Sequence, residues 1–171
     1  MGKMKLGVFG SSAVSDKNDA WKSAYRFGKL IAERKLEIIC GGYGGIMEAV
    51  SKGAREAGGV VSGICVEELK RTPNPYLSEI LWMKTYPQRL AKLIETSDVC
   101  VFFDGGIGTF TELFLVLTLK RRNIGKSKPC IVIGKVMEKK VKKVLEIINE
   151  DTSEIVFFST PEEAIGFIDN L

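Results

Sequence analysis

Histidine is absent from the 171-residue sequence. Its absence excludes Ser-His-Asp and Cys-His catalytic arrangements, zinc sites with histidine ligands, and imidazole as a general acid or base. Any chemistry must therefore use carboxylates, Arg, Lys, Tyr, Cys, hydroxyl groups or the backbone. Long apolar runs are absent as well, because no window approaches the roughly 18 uncharged apolar residues of a membrane-spanning helix.

Closely spaced cysteine pairs are also missing. The four cysteines, Cys40, Cys65, Cys100 and Cys130, lie far apart, each within an apolar run typical of a strand. Because metal and redox sites require pairs such as Cys-x-x-Cys, we expect four buried thiols that act as small hydrophobic residues. The N-terminal apolar stretch is too short for the core of a signal peptide, and we expect a cytoplasmic protein.

The composition is that of an ordinary globular protein, with 45% hydrophobic and 27% charged residues. The length, together with the lack of linkers and repeats, predicts one domain spanning residues 1–171. A net charge of +4, with the lysines spread along the chain, does not indicate binding to nucleic acid. It is compatible with a small phosphorylated ligand.

Short β-branched segments alternate with longer segments of helical periodicity, which is typical of parallel α/β proteins. We predict a single doubly wound, Rossmann-like domain, with a mostly parallel sheet of about six or seven strands and helices on both faces. The predicted strands span residues 5–9, 37–40, 60–66, 80–84, 99–103, 130–133 and 155–158. The predicted helices span residues 16–35, 46–57, 87–96, 108–122, 138–149 and 161–171. The stretch 67–78, which carries two prolines, is expected to be an irregular and mobile loop.

Three strands are followed by turns of glycine and small residues that lead into helices: Gly10-Ser11-Ser12, Gly41-Gly42-Tyr43-Gly44-Gly45, and Gly105-Gly106-Ile107-Gly108-Thr109. Ligands of open α/β sheets bind at the carboxyl ends of the strands, and glycine lets backbone N–H groups approach an anion closely. Together the turns predict a crevice for a nucleotide or phosphate, although any one of them is equally consistent with tight strand-to-helix geometry. None fits the G-x-G-x-x-G fingerprint, because Met47 and Thr111 occupy the third glycine position.

The third turn belongs to a larger motif. Arg89 lies nine residues before Asp98, which precedes a strand and then the run Gly105-Gly106-Ile107-Gly108-Thr109-Phe110-Thr111-Glu112. This arrangement resembles the LOG family, the cytokinin riboside 5′-monophosphate phosphoribohydrolases. The second turn, continuing through Glu48-Ala49 to Gly58-Gly59, looks more like the sister branch of molybdenum-cofactor carrier proteins. The resemblance covers roughly residues 5–133.

The resemblance implies a catalytic pair, Arg89 and Glu112, with the 5′-phosphate held by the third turn. Cleavage of an N-glycosidic bond needs a carboxylate near the ribose and a cation for the phosphate or the leaving base. Alternatively, Arg89 is a solvated helix residue and Glu112 only complements a helix N-terminus. The ligand-binding residues predicted from the three turns are Gly10, Ser11, Ser12, Gly41, Gly42, Gly44, Gly45, Met47, Glu48, Asp104, Gly105, Gly106, Gly108 and Thr109.

Two positions depart from the LOG pattern. Asp104 stands where the family has proline, and Leu90 where a lysine often follows the arginine. The Asp104 carboxylate has three open roles: it binds a ribose hydroxyl, coordinates a Mg²⁺ that bridges phosphates, or repels the phosphate. We predict no required cofactor and no metal site other than this one.

Two functions therefore remain open for the crevice. One is hydrolysis of a nucleoside 5′-monophosphate, and the other is non-catalytic binding or carriage of a nucleotide or molybdopterin-type cofactor. A pyridoxal-phosphate decarboxylase is excluded, since no histidine is present to stack on the pyridine ring and the chain is short for that class. The segment 113–119 is apolar nearly all round, which predicts a homodimer or higher homo-oligomer.

Overall fold

The computed structural model describes residues 3–171, and within them seven strands form one sheet. The strands are β1 (Lys5–Phe9), β2 (Glu37–Cys40), β3 (Val60–Val66), β4 (Glu79–Met83), β5 (Val99–Phe102), β6 (Cys130–Ile133) and β7 (Ile155–Phe158). Their order in the sheet is β4-β3-β2-β1-β5-β6-β7, and every neighbouring pair is parallel. The predicted doubly wound α/β fold is confirmed.

Helices cover both faces of this sheet. They are α1 (Asp19–Glu33), α2 (Ile46–Glu56), α3 (Tyr86–Thr96), α4 (Ile107–Arg121), α5 (Lys135–Ile147) and α6 (Pro161–Ile168). The buried side chains of α1, α2 and α6 form one core layer, and those of α3, α4 and α5 form the other. The inner strands are apolar on both faces because each face lies under a helical layer.

The chain order creates a switch point between β1 and β5. From β1 the chain builds the sheet outward in one direction as far as β4, and it then returns to pair β5 with the free side of β1, with Leu6 opposite Val99. The connections from these two central strands therefore run in opposite directions across the sheet. A crevice is expected where they separate, at the carboxyl ends of β1 and β5.

Helix ends account for most differences from the predicted boundaries. Helix α1 begins at Asp19 rather than at residue 16, because the Asn18 side chain accepts a hydrogen bond from the Ala20 N–H at 2.8 Å and caps it. Helix α5 begins three residues earlier than predicted, directly after Gly134, which has φ +100°. The first boundary depends on a capping hydrogen bond and the second on a glycine with positive φ, and neither depends on apolar periodicity.

The stretch 67–78 is anchored to the second glycine turn. It opens with a short 3₁₀ helix, Glu67–Leu69, and then follows the surface to the buried Asn74. The Asn74 N–H donates to the Gly42 carbonyl at 2.9 Å, and its side-chain amide donates to the Tyr43 carbonyl at 3.0 Å. The loop is therefore held at one end of the crevice.

The four cysteines are buried free thiols, as predicted. Burial raises the pKa of the Cys65 thiol to about 11 and that of Cys100 to about 12, so both stay protonated at neutral pH. Between residues 3 and 171, no helix is both long and apolar enough to cross a membrane. Residues 1 and 2, which the predicted domain 1–171 includes, lie outside the described residues.

Helices α1 and α2 pack so closely at Gly28 that one added methyl group should disturb the contact between them. A Cβ at Gly28 would lie 2.2 Å from the Val50 carbonyl oxygen, so we expect Gly28→Ala to destabilise the fold by about 1–3 kcal/mol. Gly166 on α6 has no atom within 4 Å of its Cβ position, and Gly166→Ala should instead stabilise by about 0.5 kcal/mol. Urea unfolding measures both, and equal effects of the two substitutions would contradict this packing.

Candidate functional site

A crevice of about 330 Å³ lies at the switch point between β1 and β5. All three glycine turns contribute to its walls, and Arg89 and Glu112 line it as well. The predicted site residues that the structure brings together here are Gly10, Ser11, Ser12, Gly41, Met47, Arg89, Gly106, Gly108, Thr109 and Glu112.

Backbone hydrogen bonds tie the three turns to one another. The Ser11 N–H donates to the Asp104 carbonyl at 2.9 Å, which joins the first turn to the third. The Ile46 N–H donates to the Ser11 carbonyl at 2.8 Å, which joins the first turn to the second. The walls of the crevice are therefore fixed relative to one another before any ligand binds.

Arg89 is a buried cation, with 4% of its surface exposed. Its Nε donates to the Ile64 carbonyl at 2.8 Å, and its Nη2 donates to the Gly41 carbonyl at 3.1 Å. The guanidinium lies between two rings, with its Cζ 5.5 Å from the centre of Tyr43 and 5.6 Å from that of Tyr86. Among the described residues, carbonyls occupy two of its five N–H donors, and the others remain available to the crevice.

The second turn is shaped around this guanidinium. A Cβ at Gly41 would lie 1.9 Å from Arg89 Nη2, so only glycine leaves room for it. The Tyr43 hydroxyl donates to the Val66 carbonyl and accepts from the Val66 N–H, at 3.1 and 2.9 Å, which fixes the ring at the end of β3. The conformation of Arg89 is thus determined by its surroundings on both sides.

The N-terminus of α4 supplies donors for an anion. Its N-cap, Gly106, provides no side-chain hydrogen bond, so the first N–H groups of the helix are uncapped. Gly106, Gly108 and the buried Thr109 all face the crevice. Free N–H groups and the helix dipole together favour a phosphate at this position.

Glu112 lies one turn further along α4, and 8% of its surface is exposed. Its carboxyl makes no hydrogen bond to any described residue, and it lines the crevice. Burial raises its pKa to about 7, and the charge of Arg89, which lowers the pKa, offsets only part of this effect. At neutral pH the carboxyl is therefore present in both protonation states, as suits a general acid or base.

Asp104 faces away from the crevice. Its carboxylate lies 2.6 Å from the Lys140 Nζ of α5 and lines a neighbouring surface groove beside Asn18 and Lys135. Its negative charge is thus neutralised by a residue that lies far along the sequence. Within residues 3–171 no three His, Cys, Asp or Glu side chains are grouped so that they could hold a metal ion, and Mg²⁺ at Asp104 stays a prediction.

Five other predicted residues also lie outside the crevice lining: Gly42, Gly44, Gly45, Glu48 and Gly105. Residues that the sequence reasoning missed line it instead, chiefly Tyr43, Leu69, Arg71 and Tyr86. Leu69 and Arg71 belong to the stretch 67–78, which follows β3 and so begins at the same edge of the sheet. Only this position after β3 could have predicted that Leu69 and Arg71 line the crevice, because the local sequence carries no ligand-binding motif.

Known proteins share both the sequence and the fold. A family model described as the SLOG cluster4 family matches residues 3–165. A protein of Archaeoglobus fulgidus is 29% identical over 96% of this chain and 93% of its own length. A cytokinin riboside 5′-monophosphate phosphoribohydrolase of Rhodococcoides fascians is 32% identical over 63% of this chain, and the match covers 56% of that enzyme, little more than half its length.

The solved structure of the molybdenum cofactor binding protein from Rippkaea orientalis is 25% identical, with a TM-score of 0.80. The alignment covers 99% of this chain and 98% of the other. These matches confirm the predicted resemblance to the LOG family and to its carrier branch.

The raised pKa of Glu112 predicts how stability depends on pH. In the unfolded chain a glutamate ionises near pH 4.3, whereas the buried carboxyl holds its proton to about pH 7, so folding stability falls as pH rises between these values. From pH 5 to pH 8 the wild type should lose on the order of 2 kcal/mol more than Glu112→Gln. Urea unfolding at both pH values measures this, with the surface variant Glu162→Gln as control. Parallel pH profiles for wild type and Glu112→Gln would contradict it.

Proposed function

We propose that this chain, which belongs to the SLOG cluster4 family, hydrolyses the N-glycosidic bond of a nucleoside 5′-monophosphate. The products are the free base and ribose 5-phosphate. The observation that carries the proposal is Glu112, a buried carboxyl with no hydrogen bond to a described residue, which lines the same crevice as the uncapped N-terminus of its own helix, α4. A related sequence carries the name of a phosphoribohydrolase of this reaction class.

The phosphate fits the end of the crevice formed by α4. Three phosphate oxygens need several donors, and the N–H groups around Gly106 and Gly108 supply them together with the hydroxyls of Thr109, Ser11 and Ser12. The crevice also holds two cationic side chains, Arg71 and Arg89, against the single carboxyl of Glu112. This balance of charge favours an anionic ligand.

Glu112 then faces the ribose and the glycosidic bond. As the C1′–N bond breaks, its electron pair leaves with the base, and positive charge develops on the ribose, which an ionised carboxylate stabilises. A water molecule adds its oxygen to C1′ and gives one proton to the ionised Glu112 carboxylate, while the departing base anion takes a proton from solvent. Glu112 then returns its proton to solvent, which restores the ionised form. Water is the only co-substrate, so the reaction requires no cofactor. Mg²⁺ at Asp104 is not part of this scheme.

Activity should depend on the Glu112 carboxyl. We expect wild-type protein to release base from at least one purine nucleoside 5′-monophosphate, and Glu112→Gln to lower kcat/KM by about 100-fold or more, since the amide neither accepts a proton nor carries charge. Released base is measured by chromatography. Glu162→Gln, an exposed carboxylate on α6 that pairs with Arg26, is the matched control and should keep full activity.

Arg89→Lys is a better test of the arginine than Arg89→Ala. Alanine would remove the hydrogen bonds that Arg89 donates to the buried Gly41 and Ile64 carbonyls and so confuse folding with catalysis. Lysine keeps the positive charge but loses the hydrogen bonds to two carbonyls at once and the stacking between the two tyrosine rings.

No base release by the wild type from any monophosphate tested, or equal release by Glu112→Gln, would refute the proposed reaction.

A second candidate is a non-catalytic carrier of a nucleotide or molybdopterin-type cofactor. The fold-wide likeness to a molybdenum cofactor binding protein favours it. Both candidates place a phosphate at the same helix N-terminus, so they differ in turnover rather than in location. Native mass spectrometry tests this candidate. Tight binding of a phosphate-bearing ligand without release of product would support the carrier function.

We also propose that the chain is a homodimer or higher oligomer. On α4, Leu113, Val116 and Leu117 are buried, but Phe114 and Leu119 remain half-buried, so part of the apolar surface of this helix is uncovered in a single chain. Sedimentation equilibrium should give a mass of about twice 18.9 kDa or a higher multiple. A monomer at micromolar concentration would contradict the assembly.

A further inference from the structure

Tyr86 lines the crevice but belongs to none of the three glycine turns. It is the first residue of α3, and its N–H donates to the Glu68 carboxylate at 2.7 Å. The preceding residue, Thr85, caps the helix in a reciprocal pair of hydrogen bonds with Gln88. The backbone of Tyr86 is therefore fixed, and its ring has a defined position beside the crevice.

The ring of Tyr86 lies between Arg89 and the N-terminus of α4. Its face packs on the Arg89 guanidinium, with the Cζ 5.6 Å from the ring centre. Its hydroxyl lies 3.8 Å from the position that a Cβ would take on Gly108, beside the uncapped N-terminus of α4. Among the described residues the Tyr86 hydroxyl has no hydrogen-bond partner, in contrast to Tyr43, whose hydroxyl is fully engaged with Val66.

A stacking role alone does not account for this hydroxyl. Phenylalanine would cover the guanidinium equally well, since the cation contacts the ring face. The O–H group lies instead where an anion at the helix N-terminus would need a further donor. There it would complement the N–H groups near Gly108, which reach the anion from the helix side.

We propose that Tyr86 is a ligand-binding residue whose hydroxyl donates a hydrogen bond to a phosphate monoester held at the N-terminus of α4. This inference rests on the proposed function, because it requires an anion at that position. It adds a side chain from α3 to a phosphate site otherwise built from the turns after β1 and β5. Tyr86 thereby helps the crevice to distinguish phosphorylated ligands from neutral ones.

The test compares ligands with and without the phosphate. Isothermal titration calorimetry of the full chain with AMP and with adenosine is run on wild type, Tyr86→Phe and Tyr76→Phe, each carrying Glu112→Gln so that AMP binds without the proposed hydrolysis. Tyr76 lies on the stretch 67–78 outside the crevice lining and is the matched control. We expect Tyr86→Phe to weaken AMP binding about tenfold, the effect of one lost hydrogen bond to a charged group. Adenosine binding should stay unchanged, and Tyr76→Phe should match the wild type for both ligands.

The possible outcomes separate this inference from the proposed function. If wild type binds AMP and Tyr86→Phe binds it equally well, the inference is wrong and the proposed function stands. If Tyr86→Phe weakens AMP and adenosine by the same factor, or lowers Tm by several degrees, the residue is structural and the inference is overturned. If wild type binds neither AMP nor inorganic phosphate at millimolar concentration, both fail together.

Discussion

The buried guanidinium of Arg89 is the interaction on which the crevice depends. Removing a cation from water costs several kcal/mol unless hydrogen bonds and nearby polarisable groups compensate, and here two carbonyls and two aromatic rings do so. The carbonyls come from Gly41, after β2, and from Ile64, within β3. One side chain from α3 therefore fixes the second glycine turn against its neighbouring strand and sets the shape of that wall.

The sequence patterns were sufficient for the fold because each signal was local and repeated. Strands such as Cys130–Ile133 are short, apolar on both faces and followed by helical periodicity, which is what a parallel sheet between two helical layers requires. The turns at Gly10 and Gly106 identified the carboxyl edge for the same reason: glycine there directly follows a strand. Local patterns do not encode the order of the strands in the sheet. However, a parallel sheet with glycine turns after two central strands has few possible strand orders.

The rest of the site depends on contacts between distant segments, which no local pattern encodes. Asp104 sits at the rim of the third turn, yet its carboxylate turns toward Lys140, and that pairing is visible only once α5 packs beside β5 and β6. Tyr86 and Arg71 reach the crevice because an α3 start and a loop after β3 lie at the same sheet edge. Arg89 was identified by motif, but its role in holding the Gly41 carbonyl required the fold.

Because the sequence lacks histidine, the burial of Glu112 has a direct chemical consequence for the crevice. Without imidazole, a group that titrates near neutral pH must be made from a residue with another intrinsic pKa. Burial on α4 raises the pKa of Glu112 to about 7, while the nearby charge of Arg89 keeps the ionised form accessible. The same desolvation lowers the stability of the folded chain as pH rises from about 4.3 to about 7, and the full cost is present above pH 7. A buried carboxyl with this folding cost, facing a crevice with free donors, is what the proposed hydrolysis would require.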